Sequence, residues 1–280
     1  MAHMSGLRDM LRTRGGVQSL SLGTLRKMLL RTDYQVACTL ERDPFLNDKY
    51  DSQQIPIFVK YPLQLDSPLI QSRLRFIDSA SDHQINPETA TILDDMRFLT
   101  TSVISMARDG LPSAKEKAKF LATAAWIHKR LVAPVDPELA TNFIYQSVRA
   151  AATAYSTSIL SRTPLSQACT AHNLRQLWTN IWRVPLSRWK ETPGIFLWIV
   201  LCVTPFARDK QEGRFLKGMM AAATIAIGLV DWDVVMGMLR GFLAVQRWLR
   251  TGVKELEGPV IQVEPPSPKD VKRRKSTSAM

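Results

Sequence analysis

Residues 86–110 read NPETATILDDMRFLTTSVISMARDG, residues 113–134 read SAKEKAKFLATAAWIHKRLVAP, and residues 136–160 read DPELATNFIYQSVRAAATAYSTSIL. Asn86-Pro87-Glu88 combines an N-cap residue, a proline suited to the first helical position and an acid for the first turn. Ile92, Met96, Leu99, Val103 and Met106 then recur at intervals of three and four, the signature of a helix with one apolar side, and Gly110 is a stop signal. Ser113 with Glu116 forms a capping box, and Phe120, Leu121, Ala124, Ile127 and Leu131 carry a second helix to Pro134. Asp136-Pro137-Glu138 repeats the first start signal. It is expected to open a third helix with Leu139, Phe143, Ile144, Val148, Ala151 and Ile159 on its apolar side.

The same periodicity extends in both directions. Upstream, Leu25, Met28, Leu29, Val36 and Leu40 mark an amphipathic helix from Leu20 to about Glu41. Pro44, Pro56, Pro62 and Pro68 make 43–68 an extended connector, with room for a short strand over 55–59. Pro68 suits the first turn of a further helix through Ile77. Downstream, one helical run after Pro164 holds Leu174, Leu177, Trp178 and Ile181, and Val184-Pro185-Leu186-Ser187 reads as a linker. Thr192-Pro193 opens an apolar helix ending near Pro205. Glu212 to Leu229 and Trp232 to Arg250 follow, with Asp231 as N-cap of the last.

No alternating strand series and no repeat period occurs. The expected fold is all-α: a single helical array of about eight to ten helices over residues 20–255. A flexible basic N-terminus (1–19) precedes it, and a disordered Pro-rich and basic tail (256–280) follows.

With 280 residues, the chain can bury a large core without metals or disulfides. A hydrophobic fraction of 45% and a charged fraction of 22% exclude wholesale disorder and a many-span membrane protein. The net charge of +12 sits mostly at the ends. Residues 1–31 hold six basic and one acidic residue, and 269–280 hold five and one, which leaves only +3 for the 237 residues between. A duplex-binding domain concentrates charge on the face that meets phosphate, so the basic balance is weak evidence for nucleic acid. The first 15 residues contain Arg8, Asp9, Arg12 and Arg14, which is no secretory signal.

Two charge-free runs, Thr192 to Ala207 and Gly218 to Val230, are shorter than the roughly 20 residues a spanning helix needs. They read as two buried core helices, with a membrane-embedded hairpin over 192–230 as the alternative. Cys38, Cys169 and Cys202 are odd in number and scattered, which fits a reducing compartment.

The chemical motifs of enzymes are missing from this pattern. No glycine-rich phosphate or dinucleotide loop, no zinc-protease motif and no nucleophile elbow occurs. His3, His83, His128 and His172 are isolated from one another and from cysteine, so catalytic, cofactor-binding and metal-binding residues are all expected to be none, with no cofactor. His128 reads as a partly exposed helical histidine. Asp94-Asp95 reads as a solvated face and Asp231-x-Asp233 as a helix start. Arg175, Trp178, Trp182, Arg183, Arg188, Trp189 and Lys190 interleave cations with aromatics. Leu174, Leu177, Trp178 and Ile181 have core spacing, so packed tryptophans beneath arginine stems are favoured over a base-stacking surface. Lys272, Arg273, Arg274 and Lys275 form a nuclear-import candidate beside Ser276, Thr277 and Ser278.

Arg183-Val184-Pro185-Leu186-Ser187-Arg188-Trp189, followed by Pro193-Gly194-Ile195-Phe196-Leu197-Trp198, resembles the C-terminal half of the fungal-specific transcription factor regulatory domain. Arg214-Phe215-Leu216, Ile227-Gly228-Leu229, Asp231-Trp232-x-x-Val235 and Leu239-x-x-Phe242-Leu243 extend the resemblance. Leu93-Asp94-Asp95-Met96-Arg97-Phe98-Leu99 and Arg31-Thr32-Asp33-Tyr34 are similar to its first half.

The resemblance implies a helical regulatory region that senses effectors or partners. Typical members also carry a zinc cluster of six closely spaced cysteines that sets a helix on DNA, which three scattered cysteines cannot build. Direct DNA binding by this chain is therefore doubtful. The expected role is a non-enzymatic, transcription-factor-like regulatory or interaction protein, nuclear, acting through protein partners as a possible homo- or hetero-dimer. A membrane-associated protein held through 192–230 is the alternative.

Overall fold

The computed structural model describes residues 2–13, 15–16, 19–20, 23–46, 61–108 and 113–256. Among them lie eleven α-helices and no strand. These are α1 (Ala2–Thr13), α2 (Gly23–Leu40), α3 (Pro87–Arg108), α4 (Ala114–Val132), α5 (Phe143–Ser161), α6 (Leu165–Ala168), α7 (Ala171–Arg183), α8 (Leu186–Glu191), α9 (Pro193–Ala207), α10 (Gln211–Val230) and α11 (Trp232–Leu256). The fold is the expected single helical array. The helix count exceeds expectation because α1 forms in the stretch read as a flexible terminus, and because the short α6 and α8 are separate elements. The candidate strand at 55–59, the stop at Gly110 and the tail after residue 256 lie outside the described residues.

Local capping chemistry sets several boundaries. The Asn86 side chain accepts from the Thr89 amide at 2.7 Å. Ser113 and Glu116 complete the capping box, each side chain accepting from the other's backbone N–H. Asp231 accepts from the amides of Asp233 and Val234 at 2.9 and 3.1 Å. Elsewhere the boundaries differ from expectation. Asp136-Pro137-Glu138 forms only a turn and a 3-10 segment, Leu139–Thr141. The helix starts six residues after Asp136, where Asn142 accepts from the Tyr145 amide at 3.0 Å. The run after Pro164 is broken at Cys169, and Thr170 caps α7 through the Asn173 amide. Val184 and Pro185 act as a connector, but Leu186 and Ser187 begin α8.

The core is organised around α9. Every residue of this helix except Phe206 is buried. It packs against α2, α5, α6, α8, α10 and the 3-10 turn Leu63–Leu65. Gly194 lets the carbonyls of Leu65 and Asp66 approach so closely that a Cβ there would overlap both. Trp198 meets Tyr155 edge to face, with ring centroids 6.2 Å apart. The Tyr155 and Thr100 hydroxyls share a buried hydrogen bond of 2.9 Å. A second layer, α3, α4, α5, α7 and α11, closes around this spine.

The helix expected over 68–77 does not form. Residues 66–75 run as turns and extended chain into the 3-10 segment Phe76–Ser79. Tertiary contacts hold the chain in that path. Asp94 takes the amides of Phe76 and Ile77 at 2.8 and 3.1 Å, and Arg97 takes the Leu74 carbonyl at 2.9 Å. The Leu69 carbonyl lies against α11 at Gly241, where a Cβ would come within 2.6 Å of it.

Candidate functional site

Polar side chains at the heart of the fold are engaged in architecture. Arg97 and Asp66 form a buried ion pair at 2.5 Å. Asp66 also accepts from the Tyr61 hydroxyl at 2.7 Å and from the Ser67 amide at 2.9 Å. The Arg97 guanidinium lies 4.1 Å above the Phe76 ring. His83 packs against the same ring, centroids 5.6 Å apart and tilted by 46°. Burial holds its imidazole below the ordinary histidine range, although Asp66 and Asp82 pull the other way. Asp33 is buried with both oxygens engaged, by the amides of Phe45 and Leu46 at 2.9 and 2.7 Å. Burial nonetheless raises its pKa. These groups tie the connectors 41–46 and 61–80 to α2 and α3.

The residues singled out from sequence separate into distinct roles. Asp94 is a structural acceptor and not part of a solvated face, and Asp95 pairs with Arg130. Asp231 and Asp233 stand at a helix start, as expected. His128 is half-buried, with Nδ1 2.9 Å from the Ser156 hydroxyl. Among the described residues no group of three or more His, Cys, Asp or Glu could hold a metal ion. The three cysteines are free and buried. Lys272, Arg273, Arg274 and Lys275 lie outside the described residues.

The basic-aromatic string is largely packed. Trp189 is buried, stacks on Phe196 at 4.9 Å and donates its indole N–H to the Ile181 carbonyl at 3.2 Å. Arg183 lies 5.0 Å over Phe143. Arg188 is committed to the carbonyls of His83 and Gln84. Trp182 is the exposed one of the three tryptophans, with half its surface open, and Arg175, Arg183 and Lys190 of the string are exposed as well.

Trp182 leads to the feature that sequence reading placed wrongly. It meets Trp178 edge to face at 5.5 Å, and Trp178 meets Phe215 of α10 at 5.8 Å. From Phe215 an apolar face runs along α10 through Gly218, Ala222, Ile225, Ala226 and Leu229, all exposed. Leu229 is 82% exposed and Val230 54%. Only the opposite side of α10, at Leu216, Met220, Ala223, Thr224 and Ile227, enters the core. The two charge-free runs therefore differ: α9 is a core helix, whereas α10 is apolar on its solvent side as well.

By length and composition α10 could cross a membrane, with mean hydropathy 1.4 over a window 33% buried. The enclosed α9 leaves no hairpin of the two to face a bilayer. Among the other large exposed apolar side chains, Trp126 is covered by Arg130 at 4.8 Å, and Leu25 and Met28 form a shorter pair on α2.

A groove of about 480 Å³, open to solvent, lies between α4, α5 and α7. Its cation, Arg149, donates to the carbonyls of Leu131 and Ala133 and so serves the end of α4. The α10 face is therefore the strongest candidate for an interaction site. No protein-family model, no curated protein and no solved structure matches this chain.

Proposed function

We propose that the chain is a non-enzymatic, transcription-factor-like regulatory protein that works through protein contacts made by the open face of α10. The observation that carries this reading is the exposed apolar strip from Trp182 and Phe215 to Leu229. A strip of this kind marks a contact surface, because isolated exposed apolar residues need no explanation but a contiguous row does. The resemblance to the fungal regulatory domain supplies the process. The motif residues Asp33, Asp94, Arg97, Gly194 and Trp198 are used for packing, so the resemblance supports an architecture and assigns no ligand.

The reading is tested by tethering the full chain to a reporter promoter through an unrelated DNA-binding domain in a fungal cell. The expected result is a change in reporter output that Leu229→Asp abolishes at equal protein level. Unchanged output from the wild-type fusion would refute the assignment. Nuclear delivery by Lys272, Arg273, Arg274 and Lys275 belongs to the same proposal. A carrier too large for passive entry should lose nuclear accumulation when the four are replaced by Ala.

A second reading, adsorption to a membrane through α10, is favoured by the apolarity of that helix alone. Flotation with lipid vesicles distinguishes it.

A further inference from the structure

Chemistry is unevenly distributed along α10. Its N-terminal end carries Arg208, Lys210, Arg214 and Lys217 against Asp209 and Glu212, and its C-terminal end meets Asp231 and Asp233, with Lys27 of α2 over the Trp232 ring between them. Between the two ends there is no charge. The exposed positions Phe215, Gly218, Ala222, Ile225 and Leu229 are spaced three and four residues apart, the spacing of a helix seam that meets another helix. The seam is small at Gly218, where a Cβ would meet nothing within 4 Å, and at Ala222, with Ile225 as the one large side chain between Ala222 and Leu229. The two ends differ in side-chain type. A protruding Leu229 with Val230 stands at one end, and the aromatic step of Phe215, Trp178 and Trp182 at the other.

We infer that α10 pairs antiparallel with α10 of a second copy of this chain, about a two-fold axis near Ala222. This rests on the reading of the α10 face as a protein-contact surface and names its partner. Antiparallel pairing sets the basic end of one helix beside Asp231 and Asp233 of the other, whereas parallel pairing would stack like charges. Ala222 is equidistant from Phe215 and Leu229, so the same register brings the Leu229 of each copy to the aromatic step of the other. Gly218, Ala222 and Ala226 then let the two backbones approach closely. Because one surface meets its own image, the contact closes and yields a dimer instead of a filament.

A helix of this length is about 30 Å long and its strip roughly 10 Å wide. The covered area of roughly 300 Å² per copy is well below the roughly 800 Å² of a standard stable interface. The dimer is accordingly weak and reversible, with its population set by concentration.

Sedimentation equilibrium of the full chain over a wide concentration range tests this. Wild type should show a monomer–dimer equilibrium, and Leu229→Asp should weaken it by more than about tenfold. Arg214→Glu and Asp233→Arg should each weaken it, and the two together in one chain should restore it. Copies carrying Phe215→Cys should form disulfides with copies carrying Leu229→Cys and not among themselves; the natural cysteines are buried and do not compete.

A chain that is monomeric throughout would overturn the inference. So would a dimer indifferent to Leu229→Asp, Phe215→Cys copies that cross-link to themselves, or a chain that dimerises only after residues 257–280 are removed. Uptake by neutral vesicles that Leu229→Asp abolishes would also overturn it, in favour of a bilayer. The two proposals fail separately. A monomer whose reporter effect needs Leu229 retains the regulatory reading and loses the dimer, and a Leu229-dependent dimer without reporter effect does the reverse.

Discussion

Arg97 on α3 reaches Asp66 in the connector at 2.5 Å, and both side chains are almost fully withdrawn from solvent. The pair fixes where residues 61–75 cross the helices, because Arg97 also binds the Leu74 carbonyl. Removing one member of a buried pair costs about 3–5 kcal/mol where the other charge is left uncompensated, and Asp94, 3.8 Å from Arg97, puts the loss of Asp66 toward the lower end. Asp66→Asn should lower the urea midpoint accordingly without altering the slope. The exposed pair Arg75–Asp78 provides the contrast, and Asp78→Asn should leave the midpoint unmoved. Equal effects of the two changes would show that the Arg97–Asp66 pair does not anchor the connector.

Gly194 and Gly218 both lie in helices and should respond oppositely to alanine. At Gly194 the new Cβ would overlap the carbonyls of Leu65 and Asp66, whereas Gly218 faces open space. Gly194→Ala should therefore destabilise by about 1–3 kcal/mol through overpacking. Gly218→Ala should stabilise the monomer by about 0.5–1 kcal/mol through reduced backbone entropy. Thermal denaturation at concentrations where the chain is monomeric reads both. A stable Gly194→Ala protein would mean that the connector does not lie against α9.

Much of the fold is legible where a boundary is decided by neighbours in sequence. Asn86, Ser113 with Glu116, and Asp231 are caps whose partners lie within three residues. One failure is itself local: Asp136-Pro137-Glu138 carries the same signal as Asn86-Pro87-Glu88, yet Asn142 takes the cap through the Tyr145 amide and the Gln146 side chain binds the Leu139 carbonyl at 3.1 Å. The other failures lie where distant residues decide. Residues 68–77 have a helical start signal at Pro68, but Asp94, Arg97 and Gly241 hold that chain out of a helix from far away in sequence. The candidate site was hidden for a related reason. Apolar runs at 195–203 and 218–230 look alike in composition, and only the packing of α2, α5 and α6 around α9 determines which one is enclosed. The small exposed residues Gly218, Ala222 and Ala226 were the available clue to an open face.

His83 should make the fold less stable as pH falls below the ordinary histidine value. Burial lowers the folded-state pKa, so the unfolded chain binds the proton more readily. Stability is fully present above the unfolded value near 6.5 and falls as pH drops below it, by at most about 1.4 kcal/mol per pH unit. Asp33 works in the opposite direction at lower pH, since its folded pKa is raised, and so does not account for a loss above pH 5. Urea midpoints of wild type and His83→Gln should differ in slope against pH, whatever the offset between them. Parallel profiles would show that His83 is not held neutral by its surroundings.

The three thiols should be silent in the folded protein and reactive once it opens. Burial pushes Cys169 up to about 11 and raises Cys38 and Cys202 further. At pH 8 a thiol with a pKa near 11 is ionised in about one molecule in a thousand, and only the thiolate attacks. Cys202 lies inside α9 and Cys38 faces the Leu239 carbonyl of α11 at 3.9 Å, so reagent access to either requires the central helices to separate. Cys169 sits between α6 and α7, nearer the surface, and should label first. Under native conditions an aromatic disulfide reagent should therefore release almost no chromophore, while in denaturant all three cysteines should react. At intermediate denaturant, Cys38 and Cys202 should label with the dependence of global unfolding, and Cys169 with a shallower one. Rapid labelling of Cys202 without denaturant would mean that α9 is not the closed centre of the array.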